Sequence, residues 1–406
     1  MARKSTTAEN PPDFISREEA YANSLIEGAK FMLGEQTASG KQAPLTLQPK
    51  ALEIFDLNGQ ALFYDFSIMQ GRTVVGTIRA AANSTIGAPV VSIRLGAHKW
   101  DLDTAKGRIA EIVRKKFSKL AVKDTVLICY SYPKIGLLVS LASDKEERQL
   151  VFDISDFSII PDKPEKEGTE GAFCWSFLGS INKRSVPARR KRYDAAAGLA
   201  KKVFGKEYGP GIFRITNLAV VADLSKLVLK TRTEKKLQFC THYRHDETGS
   251  HHCFILHAQQ VNDYCSVATC QMILCYYRYY YAQNEIAPSL GYSAGGGCPA
   301  DVSAGYEALS NNHLNATFDN SATWAEARDQ INLLQPMKSG VPGHARAIAG
   351  YSSNLFSVLG SSTADKKLFV YDPWPWNADL KAGGDVYWED WDSVTHTNFV
   401  YTELDY

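Results

Sequence analysis

Long hydrophobic runs are missing from this 406-residue sequence. No stretch approaches the roughly 18 consecutive apolar residues of a membrane-spanning helix, so no membrane partner is expected. A signal-peptide core is missing as well. Met1–Asp13 (MARKSTTAENPPD) starts basic and continues polar, with no apolar segment after it. A cytoplasmic location is therefore expected, and export by a non-classical route stays open. Cysteine is too sparse for a disulfide scaffold: eight in the whole chain, read as mostly reduced thiols. Internal repeats and low-complexity tracts are absent. An excess of charge is absent too, since 45 Lys/Arg stand against 44 Asp/Glu for a net +1. That balance argues against a strongly basic nucleic-acid binder, and no aromatic residues interleave the basic runs.

What is present is a split. Cys240–Tyr406 holds 8 Lys/Arg and 18 Asp/Glu, net −10, and the rest is net +11. The second part also holds 6 of 8 Cys, 5 of 7 Trp and 14 of 20 Tyr. Such asymmetry marks different units, with a boundary near Lys235–Cys240.

The chain divides into four stretches. Residues 1–49 hold an amphipathic helix opened by a Ser16/Glu19 capping box, with Ala20, Leu25, Ala29 and Met32 on one face, then a loop at Pro44–Pro49. Residues 50–160 read as a small α+β unit. Strands at Leu52–Leu57 and Ala61–Phe66 flank an Asn58-Gly59 hairpin turn, and further strands are expected at Thr73–Ala80, Pro89–Leu95, Thr125–Tyr130, Gly136–Leu141 and Gln149–Ile154. One helix, Asp103–Phe117, completes a curled antiparallel sheet with one helix. Residues 161–236 read as a basic linker region. Pro161–Gly171 is polar, and Lys183–Arg192 and Lys230–Lys236 are basic runs: plainly solvated loops, or else exposed processing sites or docking patches. Residues 237–406 carry the chemistry.

Ala258–Tyr277 (AQQVNDYCSVATCQMILCYY) is the informative stretch. Cys265 follows a short polar turn and opens a buried helix on which Ala268, Thr269, Met272 and Tyr276 share its face. A helical cysteine is usually core packing, and Cys270 and Cys275 are read that way. Cys265 differs because it sits in the first turn, where unpaired N–H groups and the helix dipole favour a thiolate. Gln259, six residues upstream, offers an amide to an oxyanion; Gln260 takes that place if the turn is one residue longer. His344, in Gly343-His344-Ala345, begins an apolar strand and is the candidate base. Asp372, in Tyr371-Asp372-Pro373-Trp374, ends another strand and is the candidate orienting acceptor.

Gln259-x5-Cys265, Gly343-His344-Ala345 and Tyr371-Asp372-Pro373, in that order, resemble papain-like cysteine peptidases. The closest subgroups are the bacteriocin-leader-processing and plant-pathogen-effector types. Ser266-Val267 stand where that family often carries Gly-Pro or Trp, and Arg346 puts a charge in a usually apolar strand. The resemblance covers Leu256 to the C-terminus. It implies an α+β catalytic domain in which the helix bearing Cys265 packs on an antiparallel sheet bearing His344 and Asp372. It implies a cysteine-type endopeptidase acting on peptides or proteins, with no cofactor and no metal. By position, the N-terminal region is similar to a prodomain. The charge split then suggests that this basic region docks on the acidic catalytic domain, giving an autoinhibited or self-processed zymogen.

Two rival functions remain at this level. One is an acyltransferase or transglutaminase-like enzyme on the same triad. The other is an inactive papain-like binding module, with four zinc ligands drawn from Cys240, His242, His245, His251, His252, Cys253 and His257, whose order matches no standard finger.

Overall fold

The computed structural model describes residues 11–35, 44–164, 166, 168–237, 254–377 and 382–405. Helix α1 (Arg17–Glu35) starts at the capping box: Ser16 Oγ accepts the Glu19 N–H at 3.2 Å, and Ala20, Leu25, Ala29 and Met32 are buried. The Asn58-Gly59 turn joins β1 (Leu45–Asp56) to β2 (Ala61–Gln70), with Gly59 at φ +80°. Strand β1 begins earlier than expected. The Pro44–Pro49 loop is mostly strand, and Pro49 falls in the register shift between Leu47 and Ala51, where a residue without an N–H is tolerated.

Strands β3 (Thr73–Ala81) and β4 (Val90–Leu95), helix α2 (Leu102–Lys116), and strands β5 (Ala121–Ser131), β6 (Lys134–Ala142) and β7 (Glu147–Asp153) lie where alternation and helical spacing put them. Short strands β8 (Ile159–Ile160) and β9 (Thr169–Glu170) follow.

The stretch expected as a linker contains α3 (Phe177–Ser180), α4 (Val186–Phe204), α5 (Leu218–Leu224) and β10 (Val228–Lys236). Neither basic run is a solvated loop. Most of Lys183–Arg192 is the start of α4, which buries Tyr193, Ala197, Ala200 and Phe204. The Arg189 and Arg192 guanidiniums donate to the carbonyls of Ile86 and Gly87, and Arg190 pairs with Asp13. Charge density on one helix face concealed an amphipathic pattern.

The C-terminal part supplies α6 (Cys265–Tyr276), α7 (Gln283–Ser289), β11 (Cys298–Pro299), α8 (Ser303–Leu309), β12 (Leu314–Asp319), α9 (Trp324–Asn332), β13 (Met337–Val341), β14 (His344–Val358), β15 (Ser361–Asp372), β16 (Asp385–Asp390) and β17 (Asn398–Leu404). The fold is α+β around a large, mostly antiparallel sheet in the order β12-β17-β13-β14-β15-β16-β4-β3-β2-β1-β5-β6-β7-β8, with β10 added on β14. The exception is β1–β5, which is parallel. The small sheet expected over residues 50–160 is thus continuous with the C-terminal one. The seam is β4–β16, in register Arg94↔Tyr387, Ile93↔Trp388 and Ser92↔Glu389. Every residue of α6 is buried, because it packs Val267, Cys270, Met272, Ile273 and Leu274 against Ala347, Ala349, Phe369 and Tyr371. Each such large side chain contributes roughly 1.5–3 kcal/mol on burial, which fixes where the helix start lies over the sheet.

Candidate active site

Three elements converge on the site. Helix α6 presents Cys265 as its first residue, the position expected from the sequence. The tight connection from β13 puts His344 first in β14, after Gly343 at φ +67°. Strand β15 ends on Asp372, and Pro373 stops the pairing. Cys265, His344, Asp372 and Gln259 are all buried, at 0–1% exposure.

His344 Nε2 lies 2.7 Å from Asp372 Oδ1. An ionised carboxylate only accepts, so Nε2 carries the proton and Nδ1 is left with its lone pair. Nδ1 is buried and unpaired among the described residues. Burial is the largest influence on the imidazole and, with Lys134 and Arg346 nearby, outweighs Asp372. The His344 pKa falls to about 4, so the ring is neutral at pH 7. Burial by itself would raise the Asp372 carboxyl. His344, Arg346 and the Trp374 N–H at 2.9 Å overcome it and hold the group below its usual range. Tyr387 OH donates to Asp372 Oδ2 at 2.9 Å, completing the carboxylate's shell.

The backbone N–H of Ala345, the residue following His344, lies near the Cys265 thiol and pulls its pKa down. The sequence argued for a depressed thiol pKa at a helix start. The structure has it raised: burial is the largest cause and Glu170 adds to it, against Lys134, Ala345 and Lys338. Desolvation of the buried thiolate outweighs the helix-end field. The Gln259 amide N–H groups donate to the carbonyls of Val261 at 2.9 Å and Asn262 at 2.7 Å, binding the turn before α6. Gln260 is exposed, and its backbone N–H donates to Gln283 Oε1. Asp263 locks the same turn by accepting from Tyr292 OH and the Gly295 N–H.

Arg346 is no misplaced charge. It is fully buried and pairs with Glu389, while Tyr387 OH accepts from it at 3.3 Å. Tyr387 therefore bridges Arg346 and Asp372.

Sequence reasoning missed Lys134, Glu170 and Lys338, which pack around the site. Lys134, fully buried at the start of β6, donates to the carbonyls of Gly171 and Gly343, each at 3.3 Å. Glu170, inside the supposed linker, reaches Ser266 Oγ at 2.6 Å and Lys338 Nζ at 2.8 Å. No local pattern marks any of them, because each depends on a partner more than 90 residues away in sequence.

The zinc candidates Cys240, His242, His245, His251, His252 and Cys253 lie outside the described residues. His257 is buried beside Gln271 with its pKa lowered to about 4, chiefly by burial. No metal-binding group of His, Cys, Asp or Glu occurs among the described residues. None of their helices is long and apolar enough to cross a membrane.

Residues 252–395 match the Peptidase_C39 like family. The match spans about a third of the chain and supports a cysteine-peptidase reading of that stretch. A solved structure, a double glycine motif protease from an AMS/PCAT transporter in complex with the leader peptide, is similar in part. The likeness has 16% identity and a TM-score of 0.25, covering 37% of this chain and 91% of that one. No curated protein matches the sequence.

Proposed function

We propose that the chain is a cysteine-type endopeptidase acting through Cys265, His344 and Asp372, and that it is made in a closed, autoinhibited form. The observation that carries the reading is the His344 Nε2–Asp372 Oδ1 contact, which leaves Nδ1 as the free acceptor in the residue next to Ala345, whose backbone N–H lies near the thiol.

In the reaction, His344 Nδ1 takes the Cys265 proton and the thiolate attacks the scissile carbonyl. The imidazolium so formed is stabilised by Asp372, whose other partners hold it ionised. The oxyanion is met by the Cys265 backbone N–H in the first turn of α6 and by the Gln259 amide, once released from the carbonyls of Val261 and Asn262. His344 then protonates the leaving amine, and water cleaves the thioester by the reverse use of the same base.

The closed state follows from who touches whom. Lys134 and residues 169–173 come from the N-terminal region, and they lie on Gly343, Ser266 and the Gly297 loop. Segment 172–176 is tied to the N-terminal sheet, where the Trp175 N–H donates to the Tyr130 carbonyl and Trp175 Nε1 to Ser131 Oγ. Hydrolysis requires this segment to move or to be cut. The substrate is a peptide or protein, and self-processing is the simplest first turnover.

The test is intact-mass spectrometry of purified chain over time, wild type against Cys265→Ala. Fragments appearing in the wild type and not in the variant support the reading. Equal fragmentation of both, or peptide hydrolysis that survives in Cys265→Ala, overturns it.

A further inference from the structure

The acidic head of Glu170 lies in a pocket built almost entirely by the C-terminal part. Lys338 Nζ on β13 donates to Glu170 Oε1 at 2.8 Å, Ser266 Oγ on α6 to Oε2 at 2.6 Å, and Asn398 Nδ2 on β17 to Oε1 at 3.2 Å. Lys338 is fully buried, and its other acceptors are the Ala300 carbonyl at 2.9 Å and Asn398 Oδ1 at 2.7 Å. Space for the carboxylate exists because residue 340 is glycine: a Cβ there would stand 2.6 Å from Glu170 Oε1. A buried ammonium, a hydroxyl and an amide, all donating inward, match an anion. Without one, Lys338 would be a desolvated charge short of its counter-ion.

The backbone of the same segment is held as an added strand. Thr169 and Glu170 pair antiparallel with Pro299 and Cys298. The approach relies on Gly297, at φ +71°, where a Cβ would fall 1.8 Å from the Glu170 carbonyl oxygen. Main-chain pairing for affinity with a side-chain pocket for selection is how extended peptides are recognised at sheet edges. One residue on, the Gly171 carbonyl is held by Lys134, which also holds the carbonyl of Gly343 next to His344. Ser266, in the pocket, directly follows Cys265. The segment thus runs from the Lys338 pocket, beside Ser266, to Gly343, against which the Phe173 ring lies.

We propose that Lys338, Ser266 and Asn398 form a specificity pocket for an acidic side chain of the peptide substrate, and that residues 169–173 fill it in this chain as a built-in substitute for substrate. The inference rests on the cysteine-peptidase reading for its biological meaning, but the pocket can be measured without catalysis.

The experiment uses the full chain carrying Glu170→Ala, with Glu170→Gln as the isosteric alternative should alanine impair folding, and thermal melting to establish the folded state. Two labelled pentapeptides are titrated by fluorescence anisotropy: TEGAF, the sequence of residues 169–173, and TQGAF. TEGAF is expected to bind at least about tenfold tighter, a difference within the range of a charge-assisted pair. Adding Lys338→Met should abolish the difference. Equal binding of the two peptides, no binding of either by the folded variant, or discrimination that survives Lys338→Met overturns the proposal. Hydrolysis is read in the same samples. Discrimination without hydrolysis counts against the peptidase reading and for the pocket; hydrolysis without discrimination does the reverse.

Discussion

Lys134 Nζ donates to the Gly343 carbonyl at 3.3 Å, so a fully buried ammonium from the N-terminal region sits one residue from the candidate base His344. The same ammonium donates to the carbonyl of Gly171, on the segment proposed above as the cover of the thiol. One cation therefore couples three things: the N-terminal sheet, the covering segment and the electrostatics of the imidazole, whose charged form it opposes.

The first prediction concerns pH. His344 has a folded pKa of about 4, below its unfolded value. A histidine with a depressed folded pKa contributes stability that is fully present above its unfolded pKa. That stability is lost as pH falls from there toward the folded pKa. Between pH 7 and pH 5, His344 should cost the wild type on the order of 2 kcal/mol of unfolding free energy. Urea unfolding at the two pH values, wild type against His344→Gln, reads this directly: the variant's loss should be smaller by about that amount. Identical pH dependence would mean that the imidazole is not buried as a neutral ring.

The second concerns the covering segment. Gly297→Ala adds a Cβ where the Glu170 carbonyl stands and also strains a φ of +71°. Residues 169–173 should lift away, and iodoacetamide should alkylate Cys265 at least about tenfold faster than in the wild type, because reactivity follows exposure and thiolate fraction. Peptide mapping locates the label. An unchanged rate in a folded variant would show that the segment does not guard the thiol.

A third prediction isolates Asp372. Asp372→Asn removes the charge that supports the imidazolium and should lower peptide hydrolysis by about 10²–10⁴-fold, the range of a general-base contribution. Tyr387→Phe leaves the charge but deletes one donor to it. That change should cost about 1–3 kcal/mol of stability, with a smaller loss of hydrolysis than Asp372→Asn. A Tyr387→Phe chain as inactive as Asp372→Asn would place the tyrosine itself in the chemistry.

The fourth tests the seam. Arg94 on β4 pairs with buried Asp385 on β16. Burial nonetheless raises the Asp385 carboxyl to about 6, against the pull of Arg94 and Lys99. Arg94→Met should destabilise the chain by about 3–5 kcal/mol, and Arg94→Met with Asp385→Leu by clearly less, since the double change leaves no lone charge. Chemical denaturation of both variants checks it. Equal losses would mean that the pair matters only as packing.

Charge complementarity, argued from the +11 and −10 halves, is visible at the seam only in part. Arg94–Asp385 and Arg192–Asp392 have the expected sign, basic from the N-terminal side. Lys367–Glu27 and Lys338–Glu170 run the other way. Three of the four pairs are buried and Arg192–Asp392 is exposed, so the sign of the summed field does not decide the pairing.

Periodicity and turn chemistry determined most elements: α1 with its Ser16 cap, the Asn58-Gly59 hairpin, α6 opening on Cys265, and His344 and Asp372 at strand ends. These depend on neighbours within a few residues, so one dimension suffices. The same short-range logic misread Lys183–Arg192 and Pro161–Gly171. Lys183, Arg184, Arg190 and Lys191 are indeed exposed, but Arg189, Arg192 and Glu170 are not, because their partners Ile86, Gly87, Ser266 and Lys338 are distant in sequence. Only the tertiary structure decided that the two sheets are one, that Tyr387 links Arg346 to Asp372, and that the Cys265 thiol is raised and not lowered. Desolvation and long-range pairing set those outcomes, and both are properties of what surrounds a residue in space.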